Sequence, residues 1–273
     1  MQNYSLFLNS QTSCLGRKEE NLLRIRLVET NDPIEVFPNS LKRLVPDYLK
    51  HLELEGFGIP EIITFAPNEH QELSTSQRLF LRRLQDVTLQ RLDPNEKLEI
   101  YVQDLVDLII KESKLDDGGV KLYSRFSRLA LHLRSVVYTI FSDREGKRRS
   151  GEIVWLLQHG KHRIDTRYKQ GDIHMVGSLI AACQENIAKH QGVLNPRVLY
   201  GIKVVGEEFF VYSVNFREEY MRQLSEETPS VDDLVAFKYP CSTGLRISKR
   251  EERKKLLCIL YTLRECSLSN THL

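Results

Sequence analysis

The stretch EIVWLLQHGK, residues 152–161, is an apolar run that stops at His159, Gly160 and Lys161. It sets an imidazole and an ammonium where a buried strand ends. His162 and His174 follow, and the three histidines could form a transition-metal set, with His159 and His162 sharing a loop and His174 facing them from the next helix. Polar loop and cap positions account for the same residues without a metal. The charge around them is one-sided. From Arg144 to Lys169, eight Lys or Arg stand against Glu145, Glu152 and Asp165, a net of +5 in a chain whose total is +2. Such a stretch is either a solvated loop or a surface that faces phosphates. No G-x-x-x-x-G-K-[ST] loop, G-x-G-x-x-G turn or G-x-S-x-G elbow occurs, which removes the commonest nucleotide and hydrolase readings.

The positioning elements come from a chain of ordinary globular composition. Its 273 residues, 41% hydrophobic and 28% charged, suit one large domain or two smaller ones. No stretch approaches the roughly 18 consecutive apolar residues of a membrane helix, so membrane spanning is not expected. The first residues carry no secretory pattern, and the expected location is intracellular, cytoplasmic or nuclear. Cysteines 14, 183, 241, 258 and 266 include no C-x-x-C pair, which argues against a disulfide framework or structural zinc.

Periodicity divides the chain into three. Residues 1–95 read as an α+β extension: a strand at 22–29, a helix over 40–57 interrupted near Pro46, and an amphipathic helix at 74–92 with Leu79, Leu81, Leu84, Val87 and Leu92 on its apolar face. Residues 96–216 are more regular. A helix carries Leu98, Val102, Leu105, Val106 and Ile109 on one stripe and ends at DDGG, 116–119. LALHLRSVVYTIF, 129–141, and EIVWLLQ are neighbouring strands joined by the polar loop DREGKRRSG, 143–151, with Trp155 packed in the core. A helix over 171–190 has Asp172 as N-cap, and VLYGIKVV and EFFVYSVNF flank a tight turn at Gly206-Glu207. Residues 217–273 read as helical, with capping starts at Ser230/Asp233 and Ser248/Glu251.

This order, with LEIYVQDLV (98–106), WLLQHGKH (155–162), GDIHMVGSLIAACQ (171–184) and VLYGIKVVGEEFFVY (198–212), resembles the PD-(D/E)xK nuclease superfamily, especially crinkler-like and transposon-associated nuclease domains. The resemblance covers roughly 96–216. It implies an α/β fold, a restriction-endonuclease-like mixed central sheet flanked by helices, and a Mg²⁺ or Mn²⁺ site built from strand carboxylates with a lysine positioning the attacking water. On that pattern Lys161 is the lysine, and His159 occupies the carboxylate slot two residues earlier, where imidazole is a poor Mg²⁺ ligand. Tyr138 falls near the other strand aspartate. A shift of register brings Asp143 there, Glu99 offers an accessory carboxylate from the opening helix, and Glu152 is a further possible ligand. Gln184 matches the helix glutamine that contacts backbone or ligand.

Two functions follow from the resemblance. In one, a nuclease-fold protein with a degenerate metal site binds nucleic acid or a protein partner, with Arg148, Arg149, Lys161, Arg163, Arg167 and Lys169 on phosphates. In the other, Asp143, Lys161, His159 and Glu99 or Glu152 cut nucleic acid with Mn²⁺ or Mg²⁺. The Leu-rich faces of 1–95 and the C-terminal helices leave a third class, an assembly module or homo-oligomer on a nuclease-like scaffold.

Overall fold

Apolar residues at every third or fourth position fold as helices and β-branched runs fold as strands, and the two kinds of element interleave along most of the chain. The computed structural model describes residues 15, 17–92, 98–133, 136–159, 168–226 and 233–269. In order they form α1 (Arg17–Leu23), β1 (Ile25–Glu29), α2 (Pro33–Val36), a 3₁₀ turn (Asp47–Leu52), α3 (Ile59–Ile63), α4 (Thr75–Leu92) and α5 (Leu98–Glu112). Then follow β2 (Val120–Leu133), β3 (Val136–Arg148), β4 (Ile153–His159), α6 (Tyr168–Lys189), β5 (Val198–Val205), β6 (Glu208–Asn215), α7 (Glu218–Ser225), β7 (Leu234–Tyr239), β8 (Leu245–Arg246) and α8 (Arg250–Leu268).

The fold is α/β with one mixed, open sheet flanked by helices. Its order is β1-β7-β6-β5-β4-β3-β2, with β8 added beside β6. The pairs β1/β7 and β4/β5 are parallel and the others antiparallel. Chain connectivity explains this. A long helix carries β4 back to lie parallel with β5, whereas Gly206, at φ 62°, turns β5 directly into antiparallel β6. Apolar clusters line both faces. One packs α4, α5 and α8 residues such as Leu84, Leu105 and Leu260 against Trp155, Leu157 and Val211; the other packs Met175, Leu179 and Ala182 of α6 with Tyr220 of α7 against Leu156, Phe210 and Tyr212. No described helix is long and apolar enough to cross a membrane, and the four described cysteines are free.

Several expectations change. The strand expected at 22–29 begins at Ile25, after a short helix, and the helix expected over 40–57 is only the 3₁₀ turn. The apolar run at 129–141 belongs to two paired strands, because the chain reverses between Leu133 and Val136. The polar segment 143–151 is mostly strand: β3 runs on to Arg148. Its charges are absorbed by partners, Arg144 by Asp107 of α5 at 2.9 Å and Lys147 both by its strand neighbour Glu145 at 2.6 Å and by Glu185 of α6 at 3.5 Å. Gly146 lies opposite Trp155, and any side chain there would overlap the indole. Residues 217–273 are not wholly helical, since β7 and β8 join the sheet. The sheet thus draws strands from all three stretches marked by periodicity. The start expected at Ser230 lies outside the described residues, and α8 begins after Lys249 without a side-chain cap.

Candidate functional site where β3 and β4 diverge

The β3/β4 ladder runs from Lys147↔Ile153 to Arg144↔Leu157 and stops, while β3 continues against β2 as far as Val136↔Leu133. Side chains close the ladder at this divergence. Ser142 Oγ donates to the Leu157 carbonyl at 3.1 Å, and Asp143 Oδ2 accepts the His159 backbone N–H at 2.6 Å. The His159 ring turns the same way, with Nδ1 3.5 Å from that oxygen. This imidazole is 5% exposed, and its Nε2 has no hydrogen-bond partner among the described residues. Burial pushes the Asp143 carboxyl up, but the hydrogen bonds from the His159 ring and backbone, with the nearby positive charge, outweigh it and hold the pKa below the ordinary value.

Beneath the divergence lies a polar layer between the sheet and α6. Gln158 Nε2 donates to Ser178 Oγ at 2.7 Å, and Ser178 donates to the His174 carbonyl one helical turn earlier at 2.8 Å. Burial lowers the His174 pKa, with Asp143 opposing and Lys203 reinforcing, so this ring senses both neighbours. Lys203 stands beside Gln158 in the β4/β5 register. Its ammonium meets Asp172 Oδ1 at 2.9 Å, Tyr212 donates to the same oxygen at 2.6 Å, and Lys238 meets Oδ2 at 2.8 Å. Lys238 also holds Glu29 at 2.8 Å. The two lysines share a carboxylate yet shift in opposite directions. Burial drives Lys203 down and the positive charge of Lys238 adds to it, so Asp172 cannot compensate. Burial also opposes the charge on Lys238, but Asp172 and Glu29 together raise its pKa. Asp172 is therefore not the expected N-cap; it lies inside α6 as the buried centre of an ion network joining β1, β5, β6 and β7.

The residues singled out from sequence are scattered. Asp143 and His159 meet, as described. Lys161, His162, Arg163 and Arg167 lie outside the described residues, as does the side chain of Lys169 in the first turn of α6. Arg148 is half-buried and donates to the carbonyls of Ser267 at 3.0 Å and Ser269 at 2.9 Å, so it caps the C-terminus of α8 instead of facing solvent. Arg149 is exposed at the β3/β4 turn. Gln184 is engaged internally: its amide accepts the His132 N–H and donates to the His132 carbonyl, both at 2.8 Å, satisfying the outer edge of β2. Asn186 clamps Ile153 of β4 in the same way, again at 2.8 Å twice. Glu99 is exposed in the first turn of α5. Glu152 is buried just before β4, against Ser150 and His190, and β4's seven residues separate it from His159 by roughly 20 Å. Trp155 is fully buried, as expected.

A hard cation such as Mg²⁺ needs several short oxygen contacts. Among the described residues no three His, Cys, Asp or Glu side chains converge as a metal set. Asp143 stands without Glu99 or Glu152 beside it, and its Oδ2 is already committed to His159. The described residues do not fit the metal that the nuclease resemblance implies. What they form is an ionised carboxylate and a sheltered imidazole at the edge of a charged layer. Sequence reasoning passed over Lys203 and Lys238 and took Asp172 for a helix cap, although a lysine inside the apolar runs VLYGIKVV and LVAFKY is itself a signal, because a buried ammonium requires an anionic partner. The chain matches no known protein family and no curated protein.

Proposed function

We propose that this chain is a nuclease-fold protein that holds nucleic acid without efficient cleavage, the metal site of its PD-(D/E)xK-like ancestor having degenerated. Two observations support the kinship. The stretch that the resemblance covers folds as a mixed sheet flanked by helices, the architecture the resemblance implies, and Asp143 lies at the divergence of β3 and β4. The observation that carries the binding role is the coordination of Asp143: its carboxylate receives the His159 N–H at 2.6 Å, and an imidazole occupies the position where a second carboxylate would be needed. From that point the sequence runs directly into Lys161, Arg163, Arg167 and Lys169, four cations offered to phosphates.

Binding and cleavage are measured together on labelled oligonucleotides and supercoiled plasmid in Mg²⁺, Mn²⁺ and Co²⁺. The expected result is salt-sensitive binding, weakened by Arg163→Ala with Arg167→Ala, and no turnover. Cleavage in any of these metals that disappears in Asp143→Asn would overturn the proposal in favour of an active endonuclease. Absence of binding at low salt would leave the protein-partner role.

A further inference from the structure

We infer that the ribbon formed by β2 and the outer half of β3 is a binding platform for a single-stranded nucleic acid. The inference rests on the nucleic-acid reading above and names a surface and ligand class that it did not include. Beyond the end of the β4 ladder, residues 136–143 of β3 pair with β2 alone, so two strands run outward from Asp143 as a ribbon. One face is closed: Leu129, Leu131 and Ile140 are buried with α6 residues in the core. Strand alternation places the register pairs Arg128↔Phe141, Ala130↔Thr139 and His132↔Val137 on the other face. There Arg128, Ala130 and His132 are exposed, as are Phe141 at 42% and Val137 at 37%.

The charge of this ribbon identifies the partner. Residues 118–142 contain no Asp or Glu but carry Lys121, Arg125, Arg128 and Arg134, in a chain whose 39 basic residues as a whole meet 37 acidic ones. Lys121 and Arg128 are exposed, and neither has a carboxylate partner among the described residues; the bond of Arg128 is a 3.5 Å contact to Thr139 Oγ1 across the ribbon. An exposed strand pair normally blunts itself with mixed charge, and an all-cationic one repels a second copy of itself while attracting a polyanion. The pattern within the face favours unpaired bases over a duplex. A phenyl ring lies beside a guanidinium, then the small Ala130–Thr139 pair leaves a shallow seat, then an imidazole lies beside a valine. A guanidinium and an imidazole thus lie about 13 Å apart along β2, four residues at roughly 3.3 Å each, with apolar surface beside them on which bases can stack. The opposite face is filled by α6, so the ribbon cannot enter a groove from both sides as a free two-stranded arm does.

The test is fluorescence anisotropy on the full chain with a 20-nucleotide probe, single-stranded and duplex, as DNA and as RNA, across a salt series. Variants are Phe141→Ser, Arg128→Gln and the loop pair Arg163→Ala/Arg167→Ala; both ribbon-face changes are at exposed positions, and circular dichroism verifies folding. Single strands should bind tighter than duplex. Phe141→Ser should weaken them roughly 5- to 100-fold, the worth of one stacked base, and Arg128→Gln should flatten the salt slope by about 0.7. Wild-type affinity and slope in both ribbon variants, with loss only in the loop pair, overturns the ribbon and leaves the proposed function standing. Tighter binding of duplex overturns the ligand class. No binding of any probe by the wild type overturns both.

Discussion

Asp172→Asn removes a charge at nearly constant volume from the centre of the buried ion network. The carboxylate is 1% exposed and takes Lys203 at 2.9 Å, Tyr212 at 2.6 Å and Lys238 at 2.8 Å. An amide keeps one acceptor oxygen and presents an N–H₂ to whichever ammonium faces the other side. Breaking a buried pair by removing one partner costs about 3–5 kcal/mol, because the remaining charge stays buried. Lys238 retains Glu29, so the loss falls on Lys203. The pH dependence has a definite sign. Burial already holds the Lys203 pKa below its ordinary 10.5 and Asp172 opposes that, so the substitution lowers it further. A folded-state pKa below the unfolded one means that the unfolded chain binds more protons, and stability then rises with pH. The deficit should be complete near pH 6 and shrink as Lys203 loses its proton on the way to its unfolded pKa. Urea titrations followed by circular dichroism should give a midpoint about 1–2 M below wild type at the lower pH, for m-values of roughly 2–3 kcal/mol/M. A midpoint equal to wild type there, or a deficit that widens with rising pH, refutes the reasoning. Adding Lys203→Met should restore most of the loss, since no unpaired charge remains.

Arg253 is fully buried, with no carboxylate bound to it among the described residues; its guanidinium donates to the carbonyls of Glu53, Leu54, Phe57, Ile247 and Ser248 at 2.6–3.5 Å, with its pKa pushed down to about 10 by burial. Arg253→Met should cost on the order of 3–5 kcal/mol by orphaning these carbonyls and freeing residues 53–57 from α8, seen as a lower Tm and faster amide exchange there. Gly146→Ala forces a methyl into Trp155 and should cost about 1–3 kcal/mol, with a changed near-UV signal from this single tryptophan. The Asp143 pKa is depressed in the folded state, so its stabilisation is present above the unfolded value near 3.8 and is lost as pH falls through the folded one; Asp143→Asn should flatten the acid limb of stability between about pH 5 and 2 in urea titrations.

Elements set by local periodicity were legible. The buried stripe of α5, the apolar strand ending at His159 and the Gly206 turn lie where their residues imply. Misplaced elements share a physical cause: local pattern treats a charge as solvated, whereas the fold supplies partners from far along the chain. DREGKRR reads as a loop because local pattern offers most of its charges no partner. In the sheet, Arg144 has Asp107, Lys147 has Glu185, and Arg148 has the α8 carbonyls more than a hundred residues away. The buried centre at Asp172 was hidden similarly, since its two lysines come from β5 and β7. At the candidate site only half of the expectation could be met, because the Asp143–His159 contact joins two described strands while Lys161 lies outside the described residues.

The same comparison sorts cations by what they are for. Arg144, Lys147, Arg148, Lys203, Lys238 and Arg253 are each bound by a carboxylate or carbonyl from outside their own element, so their charge is spent on joining parts of the fold. Lys121 and Arg128 differ in kind. They stand exposed on a stretch that contains no acid, and the fold offers them no carboxylate among the described residues. Charge left uncompensated on a surface adds self-repulsion to the folded state, a cost that a nearby acidic side chain would remove. On the proposed reading a polyanionic ligand would remove it instead, and only when bound. That is why the net charge of 144–169, which first suggested a phosphate-facing surface, is a weaker indicator than the uncompensated charge of 118–142: in the first, three of the four cations whose side chains are described, Arg144, Lys147 and Arg148, have protein partners, and in the second Lys121 and Arg128 have no carboxylate partner among the described residues.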